Sequence, residues 1–259
     1  MDKILIIISL ITTFSFSQSQ LSIENHLRTR QVHLDFHTSE HIPNIGEKFD
    51  KKNFQRALIM GRVNHINIFS KGHHGYSYYP TKIGTQHPNL KFDLLGKQLE
   101  ACKEINVKCP LYFAVGWSVL DAEQNPDWVM KDENGKMLTA NLDLNAKPND
   151  IRPHYSWKCL DPTPGGGYHN YILKNVEEIC KRYDDLDGFW FDIYHIKPYS
   201  FTSYSKRRMV EEGVNFNNTD EMEKSFALAL KDHMRELREL VEKYHPNATV
   251  FFNSATHIA

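Results

Sequence analysis

The sequence has no excess of charge of either sign. Its 31 lysine and arginine residues are balanced by 32 aspartate and glutamate residues, which leaves a formal net charge of −1 at pH 7. Proteins that bind nucleic acids or anionic membrane surfaces normally carry a marked basic excess. The composition therefore argues against a nucleic acid or a membrane surface as the partner of the mature protein.

Cysteine is scarce, and a phosphate-binding loop is missing. The four cysteines, Cys102, Cys109, Cys159 and Cys180, form no C-x-x-C pair, the spacing of many zinc and redox sites. Cys102 falls in a helical pattern and Cys109 begins a strand-like run, so we predict buried free thiols, although export would permit disulfides. No glycine-rich loop follows the first predicted strand, which argues against nucleotide binding, and we predict no cofactor.

The apolar run at the N terminus, from Ile4 to about Phe16, is too short to span a bilayer as a helix, which takes about 20 residues. It follows a lysine and precedes small and polar residues, the pattern of a secretory signal peptide. We predict a signal peptide over residues 1–18 with cleavage near Ser17, and a mature protein that is secreted or periplasmic. An uncleaved N-terminal anchor is the alternative.

Apolar strand-like runs alternate with helix-like segments over residues 19–259. Such alternation is typical of a single α/β domain in which helices cover a parallel sheet. The predicted strands are Gln31–Ser39, His65–Gly72, Cys109–Ser118, Leu186–Ile193 and Ala248–Ser254. Two architectures fit this order, a doubly wound open sheet and a (β/α) barrel of the TIM type.

The lengths of the connections favour the barrel. Connections that follow strands are long, aromatic and rich in histidine, whereas the returns from helix to strand, such as NVKC and DDLDG, are short. This asymmetry gathers polar and aromatic residues at the carboxyl ends of the strands, where barrel enzymes have their active sites. We therefore predict a TIM-type (β/α) barrel.

The predicted barrel is incomplete, because five β/α units can be traced and a closed barrel has eight. The fifth predicted strand lies at the end of the sequence, with no helix after it. We expect residues 19–259 to be the N-terminal part of an eight-unit barrel, from a longer protein or a truncated reading frame. A complete, open five-stranded domain is the alternative, and it would leave an exposed sheet edge.

A single carboxylate, Asp192, lies in the otherwise apolar and aromatic run GFWFDI. An unpaired buried charge costs several kcal/mol, so a carboxylate at the end of a buried strand needs a reason. Strand alternation puts Trp190 and Asp192 on one side, and the other side takes Phe189, Phe191 and Ile193. Asp192 could act as a nucleophile or stabilise a cationic transition state. Otherwise it caps the next loop or pairs with a nearby lysine.

His33, Asp35 and His37 share one face of the first predicted strand by the same alternation. They could bind a metal ion such as zinc, or hydrogen-bond a polyhydroxylated ligand. Metal-dependent amidohydrolases begin with H-x-H on their first barrel strand, whereas these histidines are four residues apart, which disfavours a metal. Sugar contacts and buried polar structure remain as the two other interpretations.

Further candidates follow the second and third predicted strands. His73 and His74 lie in the segment FSKGHHGYSYY, and adjacent side chains point in different directions, which disfavours a shared metal ion. Each imidazole could still donate a hydrogen bond to a substrate hydroxyl. Trp117 ends the third strand and offers an apolar face to a sugar ring. Their joint position at the carboxyl ends of different strands indicates one site.

These motifs resemble those of the α-L-fucosidases, a retaining family of glycoside hydrolases. DFHTS resembles a segment of their first strand, FSKGHHGYSYYPTK the segment after their second strand, LYFAVGWS their third strand and DGFWFDI their fourth. The sequence is still more similar to the related exported bacterial proteins called hypothetical glycosyl hydrolase 6. That resemblance covers nearly the whole predicted mature chain, from about Val32 to Ser254.

The resemblance implies a carbohydrate substrate and assigns roles to individual residues. It implies that Asp192 is the nucleophile, that His37, His73 and His74 bind the sugar, and that Trp117 lines the same pocket. Trp190, Asp35 and His33 complete the predicted substrate-binding set, because they lie on the same strand faces as the residues above.

The sequence departs from the fucosidase pattern in two places. Gly75 stands directly after the histidine pair where the fucosidases have aspartate, so we expect a different substrate pocket. The general acid/base of the family lies beyond the fourth strand, and no residue before Ala259 matches it. Glu236, Glu239 and Glu242 lie on a predicted helix, and we interpret them as solvated charge.

Three functions follow from these observations. The first is an exported, fucosidase-like glycoside hydrolase that retains the configuration of the sugar and uses Asp192 as its nucleophile. The second is a sugar-binding protein or fragment without catalysis. The third is a metal-dependent hydrolase that uses His33, Asp35 and His37.

Overall fold

The computed structural model describes residues 28–139, 157–194 and 197–253. The predicted signal peptide and the end of the fifth predicted strand, at Ser254, lie outside the described residues. Within the described ranges, no helix is both long enough and apolar enough to cross a membrane.

Strands and helices alternate as predicted, with additional short elements. The strands are β1 (Gln31–His33), β2 (His65–Lys71), β3 (Tyr76–Ser77), β4 (Thr85–Gln86), β5 (Leu111–Ala114), β6 (Gly188–Asp192) and β7 (Thr249–Phe252). The helices are α1 (Lys51–Met60), α2 (Leu94–Glu104), α3 (Val119–Gln124), α4 (Gly167–Arg182), α5 (Ser203–Glu211) and α6 (Thr219–Tyr244), with a 3₁₀ turn at Pro126–Trp128.

The strands form a mostly parallel sheet whose order follows the chain. β1 pairs with β2, β2 with β5, β5 with β6 and β6 with β7, all in parallel. β3 pairs antiparallel with the end of β2, and β4 extends β3. A doubly wound sheet reverses its strand order at a switch point, and no such reversal occurs among the described strands. The order agrees with one wall of the predicted barrel, and closure of that barrel stays a prediction.

The helices cover one face of the sheet, here called the outer face, and all of them except α4 begin at a side-chain cap. Asp50, Asp93 and Asn218 accept hydrogen bonds from first-turn backbone N–H groups of α1, α2 and α6. The main core lies between these helices and the sheet, and it contains Phe189 and Phe191. A second cluster on the opposite, inner face contains Phe69 and Tyr112, with Trp190 packed against it. The predicted alternation of Trp190 with its phenylalanine neighbours is therefore confirmed.

All five predicted strands are shorter in the structure, and the first and third differ most. The first ends at His33 rather than Ser39, because the next segment is held by Tyr78, whose hydroxyl donates to Phe36 O (2.6 Å) and accepts from Thr38 N (3.1 Å). The third ends at Ala114 rather than Ser118. Helices α3 and α5 and strands β3 and β4 lie in connections where no helix or strand was predicted.

The prediction of free thiols is confirmed. All four cysteines are unpaired and buried. Burial also raises the pKa of the thiols of Cys109, Cys159 and Cys180, which makes them poor nucleophiles.

Candidate active site

Asp192 lies at the carboxyl end of β6 and is held by one donor on each of its oxygens. The Tyr112 hydroxyl donates to Oδ2, and the Asn253 amide donates to Oδ1. The side chains come from three adjacent strands, because Tyr112 belongs to β5 and Asn253 directly follows β7. Only 8% of Asp192 is exposed, and both contacts use it as an acceptor, the role of an ionised carboxylate.

The backbone turns sharply after Asp192. Ile193 has a φ of 65°, a left-handed conformation that is rare for a β-branched residue and costs about 1–3 kcal/mol. The turn leaves the Asp192 carbonyl free to accept from the backbone N–H groups of Val115 (3.0 Å) and Gly116 (3.3 Å). Ile193 therefore does not continue the strand alternation, contrary to the prediction that it shares a side with Phe191. Strain next to a carboxylate is typical of functional sites.

Two stacked imidazoles lie beside Tyr112. The rings of His37 and His73 are 3.4 Å apart and inclined by 10°. The backbone N–H of His73 donates to Nδ1 of His37 (3.1 Å), so a neutral His37 carries its proton on Nε2. Nδ1 of His73 lies 3.5 Å from the Tyr112 hydroxyl, which already donates to Asp192. His73 therefore acts as the donor in that contact and carries its proton on Nδ1.

Burial keeps both imidazoles neutral near pH 7. Burial is the main reason that the pKa of His37 falls from 6.5 to about 4 and that of His73 from 6.5 to about 2. A positive charge on the neighbouring His37 would lower the pKa of His73 further. Burial and the charge of Asp192 raise the pKa of Tyr112, so its hydroxyl keeps the proton that it donates. The group can thus supply neutral N–H donors next to one carboxylate, and such donors can bind a hydroxyl group.

Two tryptophans form an aromatic wall next to the histidines. The Trp117 and Trp157 rings are 5.8 Å apart and inclined by 30°. His73 contacts both rings, at 5.3 Å and 5.7 Å, and His74 contacts Trp157 at 5.3 Å. This wall brings the predicted residues from the ends of β2 and β5 together, and Trp157 is an addition to the predicted set.

The remaining predicted residues lie around this group in different ways. His33 packs its ring against Tyr112 and Trp190, each at 5.5 Å. The Asp35 carboxylate is 73% exposed and lies 3.7 Å from Nε2 of His37, so it is a neighbour of the group rather than part of its packed centre. In the described residues, no group of three or more histidine, cysteine, aspartate or glutamate side chains is arranged to hold a metal ion.

Comparison with known proteins identifies the family. Residues 50–193, more than half of the chain, match the family described as hypothetical glycosyl hydrolase 6. The chain belongs to the hypothetical glycosyl hydrolase 6 family. No curated protein matches its sequence.

Solved structures include similar proteins. The α-L-fucosidase isoenzyme 2 from Paenibacillus thiaminolyticus is 36% identical, with a TM-score of 0.75, over 88% of this chain and 33% of that one. This chain thus spans about a third of that fucosidase. A hypothetical protein from Ruminiclostridium thermocellum is 14% identical, with a TM-score of 0.48, over 86% of this chain and 99% of that one. The α-L-fucosidase AlfC from Lactobacillus casei is 17% identical, with a TM-score of 0.44, over 82% and 52%. The last two similarities are too weak to bear on function.

The glycine that departs from the fucosidase pattern is explained in this family member by close packing. Gly75 has a φ of 97°, and a Cβ atom there would lie 2.6 Å from Oγ of Ser118 and 2.8 Å from Cβ of Leu120. The start of α3 therefore occupies the space that a side chain at position 75 would need.

The prediction that Glu236 is only a solvated charge on a helix was wrong. Its Oε2 lies 3.1 Å from Nε2 of the buried His169.

Three residues of this site were not predicted from the sequence: Tyr112, Asn253 and Trp157. Tyr112 lies opposite Trp190 in the β5–β6 register, so the alternation that placed Trp190 and Asp192 on one side also placed Tyr112 there. Asn253 follows β7, as Asp192 ends β6. Both could have been found by listing every polar side chain on the inner face or directly after a strand. Trp157 carries no comparable signal, because it lies in a long connection.

The low pKa values of the stacked histidines predict that this family member loses stability as the pH falls below about 6.5. In that range the unfolded chain binds protons on His37 and His73 that the folded protein does not bind. The free energy of unfolding therefore falls with the pH. The contribution of His37 ends near pH 4 and that of His73 near pH 2. Urea unfolding between about pH 4.5 and 7.5 measures this slope.

Two variants assign the slope to the stack. His73→Gln removes one imidazole that takes up a proton on unfolding. The slope of the free energy of unfolding against pH should therefore fall by about 1.4 kcal/mol per pH unit in its steepest part. The matched control is His41→Gln, because the His41 side chain is 72% exposed and lies outside the stack. Equal slopes for the wild type and His73→Gln would contradict the assignment.

Proposed function

We propose that this chain is the catalytic part of an exported glycoside hydrolase that cleaves α-L-fucosides with retention of configuration, and that Asp192 is its nucleophile. We also propose that its sheet belongs to a TIM-type barrel. One observation carries the catalytic proposal: Asp192, at the carboxyl end of β6, is oriented by Tyr112 and Asn253 beside the neutral stacked histidines. Membership of a glycosyl hydrolase family and the similarity to the Paenibacillus fucosidase support it.

In the proposed mechanism, an Asp192 oxygen attacks the anomeric carbon while the bond to the leaving oxygen breaks. The product of this step is a glycosyl ester of Asp192, which water then hydrolyses at the same carbon. Tyr112 and Asn253 fix the direction of the attacking oxygen, and they stabilise the carboxylate again when it departs in the second step. The Nε2–H group of His37 is placed to donate to a sugar hydroxyl.

The carboxyl group that protonates the leaving oxygen is not assigned by this proposal. Two carboxylates near the end of β5 are committed to other partners. Asp121 pairs with Lys71 in the core, and Asp161 accepts from Thr163, Thr202 and Ser205 while only 1% of it is exposed. This observation favours sugar binding without turnover as the second candidate function, because a retaining hydrolase needs two carboxyl groups.

Covalent trapping distinguishes the two functions. The protein is incubated with 2-deoxy-2-fluoro-α-L-fucosyl fluoride, whose fluoride leaves without protonation and whose ring fluorine slows hydrolysis of the ester. A nucleophile can therefore be trapped even when the acid/base group is absent. We expect mass spectrometry of a digest to find the fluorosugar on the peptide that contains Asp192, and to find none in the Asp192→Asn variant.

The other outcomes of trapping decide against the proposal. An adduct on another residue would exclude Asp192 as the nucleophile. The absence of an adduct, together with binding of L-fucose detected by calorimetry, would establish the sugar-binding alternative. The absence of both would reject both candidate functions.

A further inference from the structure

A buried ion pair lies next to the segment that carries His73 and His74. Nζ of Lys71 is 2.8 Å from Oδ2 of Asp121, and their side chains are 1% and 3% exposed. Lys71 is the last residue of β2, and Asp121 lies in the first turn of α3. The Lys71 ammonium also lies 5.6 Å from the centre of the Phe113 ring. The pair thus belongs to the outer core rather than to the site itself.

A β-bulge turns Lys71 into that core. Phe69 pairs with Tyr112 and Lys71 with the next residue, Phe113, so Ser70 is an extra residue in β2. Without the bulge, alternation would place Lys71 on the inner face with Phe69. The Ser70 hydroxyl donates to the carbonyl of Tyr112 (2.6 Å) and fixes the bulge to the strand that carries that tyrosine. Bulges next to active sites typically redirect a side chain in this way.

Helix α3 holds the segment that follows the bulge. The backbone N–H groups of Val119 and Leu120 donate to the carbonyls of His73 (3.1 Å) and His74 (3.2 Å). The Asp121 carboxylate comes from the same helical turn. One turn of helix is therefore joined to β2 at the ion pair and to the histidine backbone immediately beyond it.

We propose that Lys71 and Asp121 are positioning residues, which lock the bulge against α3 and so fix the direction of His73 and of the His37 ring stacked on it. The catalytic part of this inference rests on the proposed function. A buried ion pair stabilises a fold little more than an apolar pair of the same shape, because desolvation offsets the attraction. An apolar pair tolerates a shift of one element along the other, however, whereas the attraction between a buried ammonium and a carboxylate falls as they separate.

The test replaces the pair with apolar side chains of similar size, in Lys71→Met/Asp121→Leu. Two readouts are taken on the whole protein. The first is the set of imidazole ¹⁵N signals of His37 and His73, which report the two opposite tautomers without any substrate. The second is the rate of adduct formation with the fluorosugar. We expect both histidine signals to change and the adduct rate to fall by about 100-fold, the effect of a misplacement of about 1 Å.

The matched control is Arg208→Met/Asp232→Leu, which removes a 2.8 Å ion pair between α5 and α6. It should leave the histidine signals unchanged and the adduct rate within about threefold of the wild type. If Lys71→Met/Asp121→Leu fails to fold, Lys71→Met/Asp121→Asn replaces it, because it also removes both charges and keeps the shape of the residue on α3.

Each readout can overturn the inference separately. Unchanged histidine signals in a folded variant would show that the pair does not position the rings. Changed signals with an unchanged adduct rate would show that the rings need no positioning for the reaction. If the wild type itself forms no adduct, the proposed function fails, while the histidine signals still decide whether the pair orders the site.

Discussion

Replacing Asp192 with glycine should lower the turnover of 4-nitrophenyl α-L-fucoside by about 10⁴- to 10⁶-fold, the range seen when a member of a catalytic group is removed. The substitution leaves a space lined by the Tyr112 hydroxyl and the Asn253 amide, the two donors that hold the carboxylate in the wild type. Azide can enter this space and attack the anomeric carbon from the side on which the proposed nucleophile Asp192 lies in the wild type. The carbon–oxygen bond to nitrophenolate then breaks as a carbon–nitrogen bond forms.

Azide should therefore restore release of nitrophenolate, and the sugar product should be the β-L-fucosyl azide. Nitrophenolate leaves without protonation, so this rescue does not need the acid/base group. Release is followed by absorbance, and the anomer is identified by proton NMR.

The matched control is Asp185→Gly, in the bend that precedes the amino end of the same strand. Asp185 is 77% exposed in its side chain and has a φ of 54°, so glycine fits its backbone, and only a surface ion pair with Lys103 is lost. This variant should keep wild-type turnover. Formation of the α-azide in Asp192→Gly, or no rescue by azide, would contradict the role of Asp192 as the nucleophile.

Much of the sheet and part of the site could be predicted because strand alternation is a local property. A buried parallel strand is apolar on both faces, so GFWFDI identified β6 and placed Trp190 and Asp192 together. The histidines after β1 and β2 were found because parallel strands bring their carboxyl ends to one edge. The same argument places Tyr112 and Asn253, but an aromatic hydroxyl and an amide after a strand also fit ordinary structure.

The rest depended on contacts that the sequence does not encode locally. Lys71 is a polar residue at the end of an apolar strand, and alternation assigns it to the inner face with Phe69. The bulge at Ser70 reverses that assignment, and a bulge depends on the partner strand. Likewise, β1 ends at His33 because the hydroxyl of Tyr78, more than forty positions later, takes the backbone groups of the following segment.

Gly188→Ala should lower the free energy of unfolding by about 4 kcal/mol. Alanine at an exposed glycine should cost less. Gly188 begins β6 with a φ of 155° and pairs with Thr249 of β7. A Cβ atom there would overlap the backbone carbonyl of Thr249, which cannot move without breaking the pairing of the two strands. Backbone strain contributes roughly 1–3 kcal/mol and the overlap roughly another 1–3 kcal/mol.

The effect of Gly188→Ala should extend to the site, because β7 holds Asn253 against Asp192. We expect the urea midpoint to fall and the rate of fluorosugar trapping to fall with it, in protein that is still folded. Gly165→Ala is the matched control: its φ is 82°, and a Cβ atom there meets nothing within 4 Å. Gly165→Ala introduces backbone strain without any overlap. Its free energy of unfolding should therefore fall by about 1–2 kcal/mol, and its rate of fluorosugar trapping should equal that of the wild type. If the two variants lose the same free energy of unfolding, close packing of β6 against β7 does not explain the glycine, and Asn253 is not held in place by that contact.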